Sequence, residues 1–178
     1  MKNLTVLLVM FLSWVGIAHA NVTINEFVSH PDQDQKEWVE LINTTGNKID
    51  LTGWKLTELS SPSTIPVEKD LLLLSGIIDD ILVFDVGTTK LNDGGDSIGL
   101  YNGETLVSRV TYGTDATVKN YSIDLAAPTI GKSGALISGN WLTNQDPTKR
   151  ALNSNTDIDV SSSEENDDFV SSGPKKEL

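Results

Sequence analysis

Cysteine is absent from this 178-residue sequence, and histidine occurs only twice. Without cysteine the chain can form neither disulfides nor thiolate metal sites. His19 lies within the first twenty residues, so His30 is the single histidine of the remaining chain. One histidine excludes zinc clusters built on several histidines and leaves little basis for a Ser-His-Asp triad. Stability must therefore come from an ordinary hydrophobic core, which about 130 residues can bury.

Positive charge is also scarce. The sequence contains 13 Lys and Arg residues against 25 Asp and Glu residues, which gives a net charge of −12. A protein that binds the phosphate backbone of nucleic acids in general needs the opposite sign. The composition therefore disfavours nucleic acid as a partner.

Long apolar runs are missing except at the N-terminus. Lys2 precedes the apolar run Leu4–Ile17, and Ala18-His19-Ala20 has the small-x-small form of a cleavage site. This arrangement predicts a signal peptide over residues 1–20 that is cleaved before Asn21. We expect a secreted protein, extracellular or in the cell envelope, without a transmembrane span after cleavage. The missing cysteine favours a bacterial or archaeal envelope.

Alternating apolar residues predict a first β-strand directly after the cleavage site. In Asn21–Ser29, the alternation places Val22 and Ile24 on one face, together with Val28. Phe27 falls on the opposite face. The pattern therefore predicts that Phe27 shares a face with Thr23 and Asn25, opposite Val22 and Ile24.

Two later runs carry a tryptophan each and resemble β-strands. They are Glu37–Asn43 and Trp54–Leu59, and we expect the densest packing around Trp38 and Trp54. The continuous apolar run Leu71–Leu74 is typical of a strand buried in a sandwich. Further strands are predicted at an edge segment Thr64–Val67, at Ile81–Val86, after the turn in Leu91–Tyr101, at Thr105–Tyr112 behind an Asn102-Gly103 hairpin turn and at Tyr121–Ile123. The less regular remainder includes Ala135–Trp141, which ends in the last tryptophan.

The composition changes abruptly near the C-terminus. Beyond Asn155, acidic and serine residues replace most apolar ones. Such segments bury too little apolar surface to offset the entropy of ordering, so residues 156–178 are predicted to be a disordered acidic tail. Residues 21–155 remain as one folded domain.

Several motifs occur in an order that resembles one known family. They are Ile24-Asn25-Glu26, Glu37–Leu41 with Asn43, Leu51-Thr52-Gly53-Trp54, Leu91–Asp96, Val110–Gly113, and the closing Trp141 with Pro147-Thr148. Over residues 22–153 the chain resembles the lamin tail domain in a secreted prokaryotic form. The resemblance implies an all-β, immunoglobulin-like β-sandwich. Lys149-Arg150 depart from the small residues expected after the Pro-Thr pair.

Acidic side chains are the remaining candidates for chemistry. Asp32 and Asp34 lie in a polar loop, and Asp93 and Asp96 lie in a glycine-rich turn. These four are candidate calcium ligands because calcium prefers hard oxygen donors. The alternative is structural: a solvated loop in the first case, and in the second a turn whose glycines adopt special angles.

Glu37 and Glu40 are three residues apart and are the carboxylates that could form a catalytic pair. Glu37 and Glu40 fall on opposite faces of one strand, which argues against an acid–base pair. Glu26 and Glu40 are instead expected to satisfy hydrogen-bond partners at the rim of the sandwich. The sequence therefore predicts no catalytic residue, no cofactor and no enzymatic activity.

Two functions follow from these observations. The first is a non-enzymatic binding or scaffolding module that contacts a protein or an envelope glycan and acts as a monomer. The alternative is an accessory domain of a secreted hydrolase or nuclease whose catalytic part lies on another chain or outside this sequence. An enzyme domain encoded in frame beyond Leu178 would favour the second.

Overall fold

The described part of the chain is built from β-strands and contains no helix. The computed structural model describes residues 22–59, 67–115, 118 and 120–154. In chain order its strands are β1 (Val22–Val28), β2 (Glu37–Asn43), β3 (Ile49–Asp50), β4 (Trp54–Leu59), β5 (Glu68–Leu73), β6 (Ile77–Ile78), β7 (Ile81–Gly87), β8 (Gly95–Asn102), β9 (Thr105–Gly113), β10 (Ser133–Ile137) and β11 (Asn140–Gln145). Within these residues no helix is long and apolar enough to cross a membrane.

Two main sheets enclose the hydrophobic core. One sheet has the strand order β11-β10-β1-β2-β7, and the other has the order β5-β4-β8-β9. Strands β3 and β6 form a small separate ladder. The two tryptophan-bearing strands β2 and β4 therefore lie in different sheets. The predicted all-β, immunoglobulin-like sandwich is confirmed. The signal peptide, residues 64–66 of the predicted edge segment and the acidic tail lie outside the described residues.

The first strand differs from the simple alternation of its sequence. A bulge between Ile24 and Glu26 adds one residue to β1 relative to β2. This extra residue reverses the side-chain alternation, so Phe27 joins Val22 and Ile24 in the core. The prediction that Phe27 lies on the face opposite Val22 and Ile24 was wrong for this reason. Its ring lies 4.7 Å from the ring of Tyr112, centroid to centroid, between the two sheets.

The two tryptophans predicted to lie at the centre of the packing occupy different positions. Trp54 belongs to the core cluster between the sheets. Trp38 is only 5% exposed, but it lies on the outer face of the five-stranded sheet. Lys149 covers it there, with Nζ 5.2 Å from the ring centroid. The expectation of a shared dense core was therefore correct for Trp54 and wrong for Trp38.

The structure differs from the prediction for two of the strands. The run Leu71–Leu74 was expected to be buried, but β5 is an edge strand that pairs only with β4. Leu73 is 72% exposed, while Leu74, just past the strand, is buried. The segment Tyr121–Ile123 forms no strand, and an isolated bridge joins nearby Leu125 to Tyr112. The apolar residues of these segments did not show that both segments lie at the edge of the sandwich.

The hairpin between β8 and β9 is confirmed. Asn102 pairs with Thr105, and Gly103 has a φ of 57° in the intervening turn. At the other end of β9, Gly113 has a φ of 78° and lies against the backbone of Gly94. A Cβ placed on Gly113 would lie only 2.1 Å from the Gly94 carbonyl oxygen, so this close approach requires glycine.

Candidate functional site

Asp96 fixes the turn that precedes β8. Its Oδ1 accepts the N–H groups of Leu59 and Ser97 at 2.8 and 2.7 Å. Its Oδ2 accepts the N–H of Asn92 at 3.1 Å. Burial raises the pKa of the Asp96 carboxyl to about 6, although these donors favour the charged form. Both carboxylate oxygens of Asp96 thus accept hydrogen bonds inside the protein.

The other three calcium candidates lie around one end of the sandwich. Asp32 and Asp34 are exposed in the loop between β1 and β2, and Asp93 is exposed in the loop before β8. Asp93 approaches His30, with 3.6 Å between Oδ2 and Nδ1. Within the described ranges, no three His, Cys, Asp or Glu side chains converge as metal ligands would. A calcium role for these aspartates stays a prediction.

Glu37 and Glu40 have separate structural roles. Glu37 lies at the start of β2, where its Oε2 accepts the N–H groups of Lys90 and Leu91 at 2.8 and 2.9 Å. It therefore fixes the loop between β7 and β8. Glu40 lies further along β2 and is the direct cross-strand neighbour of Glu26.

Glu26 and Glu40 form a buried acidic pair on the outer face of the five-stranded sheet. Glu26 accepts the Ser133 hydroxyl at 2.6 Å and both the N–H and hydroxyl of Thr148 at 3.1 Å. Glu40 accepts the Asn25 amide at 2.9 Å and the N–H of Arg150 at 2.6 Å. The expectation that these two glutamates satisfy backbone and side-chain hydrogen-bond partners is confirmed.

This pair is covered by residues 146–153, which we call the closing segment. Asn153 completes the cover by donating its amide to the carbonyls of Asn25 and Leu136 at 2.8 and 3.1 Å. Burial raises the pKa of Glu26, and it raises the pKa of Glu40 as well. The charge of Glu26 raises the pKa of Glu40 further because the two carboxylates repel each other. The closing segment thus supplies donors to two acids that water no longer solvates.

The closing segment also forms one wall of a cleft over Trp38, which we call the Trp38 cleft. The cleft has a volume of about 500 Å³. Pro147 and Lys149 contribute from the closing segment, and Lys149 bonds to Asp85 with an Nζ–Oδ1 distance of 3.0 Å. The β1–β2 loop contributes the opposite wall, with Pro31, Gln35 and Lys36 among its residues.

The Trp38 cleft combines apolar surface with hydrogen-bonding groups. Trp38 and the two prolines are apolar, while Gln35, Lys36 and Lys149 can donate hydrogen bonds. A concave site with a few convergent polar groups is the usual form of a ligand site. The sequence did not indicate this cleft, because its walls come from β2, the β1–β2 loop and a segment more than a hundred residues later. The one usable signal was Trp38, a large aromatic residue in a strand.

A second, smaller cleft lies on the other side of the β1–β2 loop. It has a volume of about 360 Å³ and is lined by His30, Asp93 and Thr89, among others. Thr89 has a φ of 56°, which is uncommon for a β-branched residue. The β1–β2 loop therefore separates two depressions at the same end of the sandwich.

Comparison with known proteins identifies the family. The model of the Lamin Tail Domain family matches residues 17–114, more than half of the chain. No curated protein and no solved structure gives a significant match. The family consists of non-catalytic, immunoglobulin-like domains, which agrees with the role of a binding or scaffold module. The match, the order of the motifs and the sandwich together show that this chain belongs to the lamin tail domain family.

Proposed function

We propose that this chain is a non-enzymatic binding module that is secreted and acts at the cell surface or envelope. The observation that carries the proposal is the Trp38 cleft, where Pro31 and Pro147 lie beside groups that can donate hydrogen bonds. The three buried carboxylates described above also support a non-enzymatic role. Glu26, Glu40 and Asp96 are engaged within the fold, so they are not available for chemistry on a substrate.

The ligand is an envelope glycan or an envelope protein. Lys149 covers the Trp38 ring, so a sugar ring or an apolar side chain packs against the two prolines beside it, and its polar groups can reach Gln35 and Lys36. The strongly acidic net charge of the protein makes an anionic polymer a poor ligand. Uncharged or basic surface components are the better fit.

Co-sedimentation with cell envelopes from the source organism tests the proposal. The wild-type protein is expected to bind saturably at low and high salt. A Gln35→Ala/Lys36→Ala variant is expected to bind at least about tenfold more weakly, because two hydrogen-bonding groups of the cleft are lost. Lys48→Ala is the matched control, since it removes one exposed lysine near the end of β2 away from the cleft.

The possible results test the proposed function and the proposed binding site independently. If no envelope preparation binds the wild type, the protein is not an envelope-binding module. If the wild type and the cleft variant bind equally, the Trp38 cleft is not the contact. Treating the envelopes with protease before the assay distinguishes a protein ligand from a glycan, because only the glycan should survive.

A further inference from the structure

Strand β7 has an open edge. It lies at the end of the five-stranded sheet and pairs with β2 alone. Asn43 donates its N–H to the Asp80 carbonyl at 2.7 Å, which fixes the alternation of hydrogen bonds along the pair. Leu82 therefore directs its backbone groups toward β2, whereas Ile81 and Val83 direct theirs away from it. No residue in the described ranges pairs with these outward groups.

The open edge is unusually apolar for an exposed strand. The four residues from Ile81 to Phe84 are apolar and only half-buried, and Asp85 follows them. Natural sandwiches commonly protect such edges with lysine, proline or a very short strand. Strand β7 has seven residues and contains neither lysine nor proline. It therefore offers a template on which another extended chain can pair.

A groove lies beside the start of β7 on the outer face of the sheet. It has a volume of about 520 Å³ and runs between Ile81 and residues 150–152 of the closing segment. Leu152 projects there and is 70% exposed. A strand added next to β7 would place the side chain opposite Ile81 on this same face. The groove is thus positioned to receive one apolar side chain of an incoming strand.

Charge identifies the kind of strand that fits. Asp79 and Asp80 lie on the β7 side of the groove, and Arg150 lies on the opposite side, so a basic residue fits only beside the two aspartates. Asp79 bonds to Lys48, and no ion pair engages Asp80 in the described residues. The whole protein carries a net charge of −12, so a second copy of this chain is repelled while a basic partner is attracted.

We propose that β7 binds an extended segment of a partner protein, which adds to the sheet as a sixth strand. The segment carries an apolar residue for the groove beside Leu152 and a basic residue for the rim at Asp80. Main-chain hydrogen bonds to Ile81 and Val83 hold it, as in other complexes formed by strand addition. This surface lies at the start of β7, whereas the Trp38 cleft includes Asp85 near the end of β7, so each can fail without the other.

The test uses a labelled synthetic peptide, Lys-Thr-Leu-Thr-Val-Thr-Lys, with the full chain and fluorescence anisotropy as the readout. Val83→Pro removes an outward N–H that the fold does not use, so its thermal unfolding should match that of the wild type. Its affinity for the peptide should fall roughly tenfold or more. Val83→Thr keeps both the N–H and the branched shape, and it should bind within about twofold of the wild type.

Two further comparisons test the side-chain part of the proposal. Leu152→Ala should weaken binding about fivefold, because apolar contact in the groove is lost. Leu106→Ala is the matched control, since Leu106 is an exposed leucine on the other sheet. A peptide with glutamate in place of both lysines should bind more weakly than the original. If Val83→Pro unfolds the protein, a peptide N-methylated at alternate residues provides the same test on the wild type.

Several results would overturn the proposal. They are no binding of the peptide by the wild type, equal binding by Val83→Pro and the wild type, and equal binding of the lysine and glutamate peptides. Sedimentation velocity covers the remaining alternative. A wild-type dimer that Val83→Pro abolishes would assign the edge to a second copy of this chain instead.

Discussion

Mild acid is expected to stabilise this protein, and Asp96 is the main reason. Its carboxyl has an ordinary pKa of 3.8, which burial raises to about 6 in the folded protein. Between these two values the folded state binds more protons than the unfolded state. The free energy of unfolding therefore falls as the pH rises. The stabilisation is complete below the unfolded pKa and is lost as the pH passes through about 6.

The size of the effect follows from the shift. One pKa unit corresponds to about 1.4 kcal/mol. Most of the change in stability that Asp96 causes falls between pH values of about 4.5 and 7.5. Asp96 alone should therefore make the domain about 2 kcal/mol more stable at the lower pH. Glu26 and Glu40 also have raised pKa values, so they act in the same direction.

Urea unfolding monitored by tryptophan fluorescence at the two pH values measures this difference. The chain has four tryptophans, and two of those in the described fold, Trp38 and Trp54, are buried. With a typical urea dependence of about 2 kcal/mol per molar, the midpoint should rise by about 1 M on acidification.

Asp96→Asn separates this cause from other effects of acid. The amide cannot titrate, so the pH dependence should shrink by about 2 kcal/mol even though the variant is less stable overall. Glu104→Gln removes one exposed carboxylate in the β8–β9 hairpin and should leave the dependence unchanged. A domain that is less stable in mild acid than at neutral pH, or an Asp96→Asn protein with the full dependence, would refute the reasoning.

Further predictions use the same unfolding assay. Glu40→Gln should be neutral or stabilising at neutral pH, because Asn25 can rotate its amide to accept from the new donor; a loss above about 2 kcal/mol would contradict this. Phe27→Ala should cost about 3–5 kcal/mol by opening a cavity between the sheets, and a loss below about 1 kcal/mol would place the ring outside the core. Gly113→Ala should cost at least about 2 kcal/mol, since it adds a Cβ where φ is 78° and a carbonyl is in contact. Leu73→Ser, on the open face of β5, should change stability by less than about 0.5 kcal/mol, and a larger loss would indicate a packed side chain.

The alternation of apolar and polar residues predicted the strands well where no bulge interrupts it. The bounds of β2 and β4 were predicted from the sequence, and the turn signal at Asn102-Gly103 correctly joined β8 to β9. The bulge in β1 could not be predicted in this way, because one extra residue reverses the alternation beyond it. Phe27 was therefore assigned to the wrong face. Likewise, an apolar run such as Leu71–Leu74 does not show whether its strand is central or at an edge.

The candidate site was harder to predict than the fold, because its parts are distant in the sequence. The expectation that Glu26 and Glu40 are satisfied inside the protein was correct. The identity of their donors, Thr148 and Arg150, depends on contacts across more than a hundred residues. The Trp38 cleft and the groove beside β7 both require the closing segment in place. No local pattern encodes that placement.

The closing segment also sets the order in which the protein can mature. Glu26 and its donor Thr148 are separated by 122 residues, so the first strand leaves the ribosome long before the groups that satisfy it. Contacts of such long range slow folding, because the loop between them must close first. A chain that stops or is cut before residue 146 would expose these two acids to water and leave them only the Ser133 and Asn25 donors. The outer face of the five-stranded sheet is therefore complete only when the closing segment is in place, and shortened copies should unfold more easily.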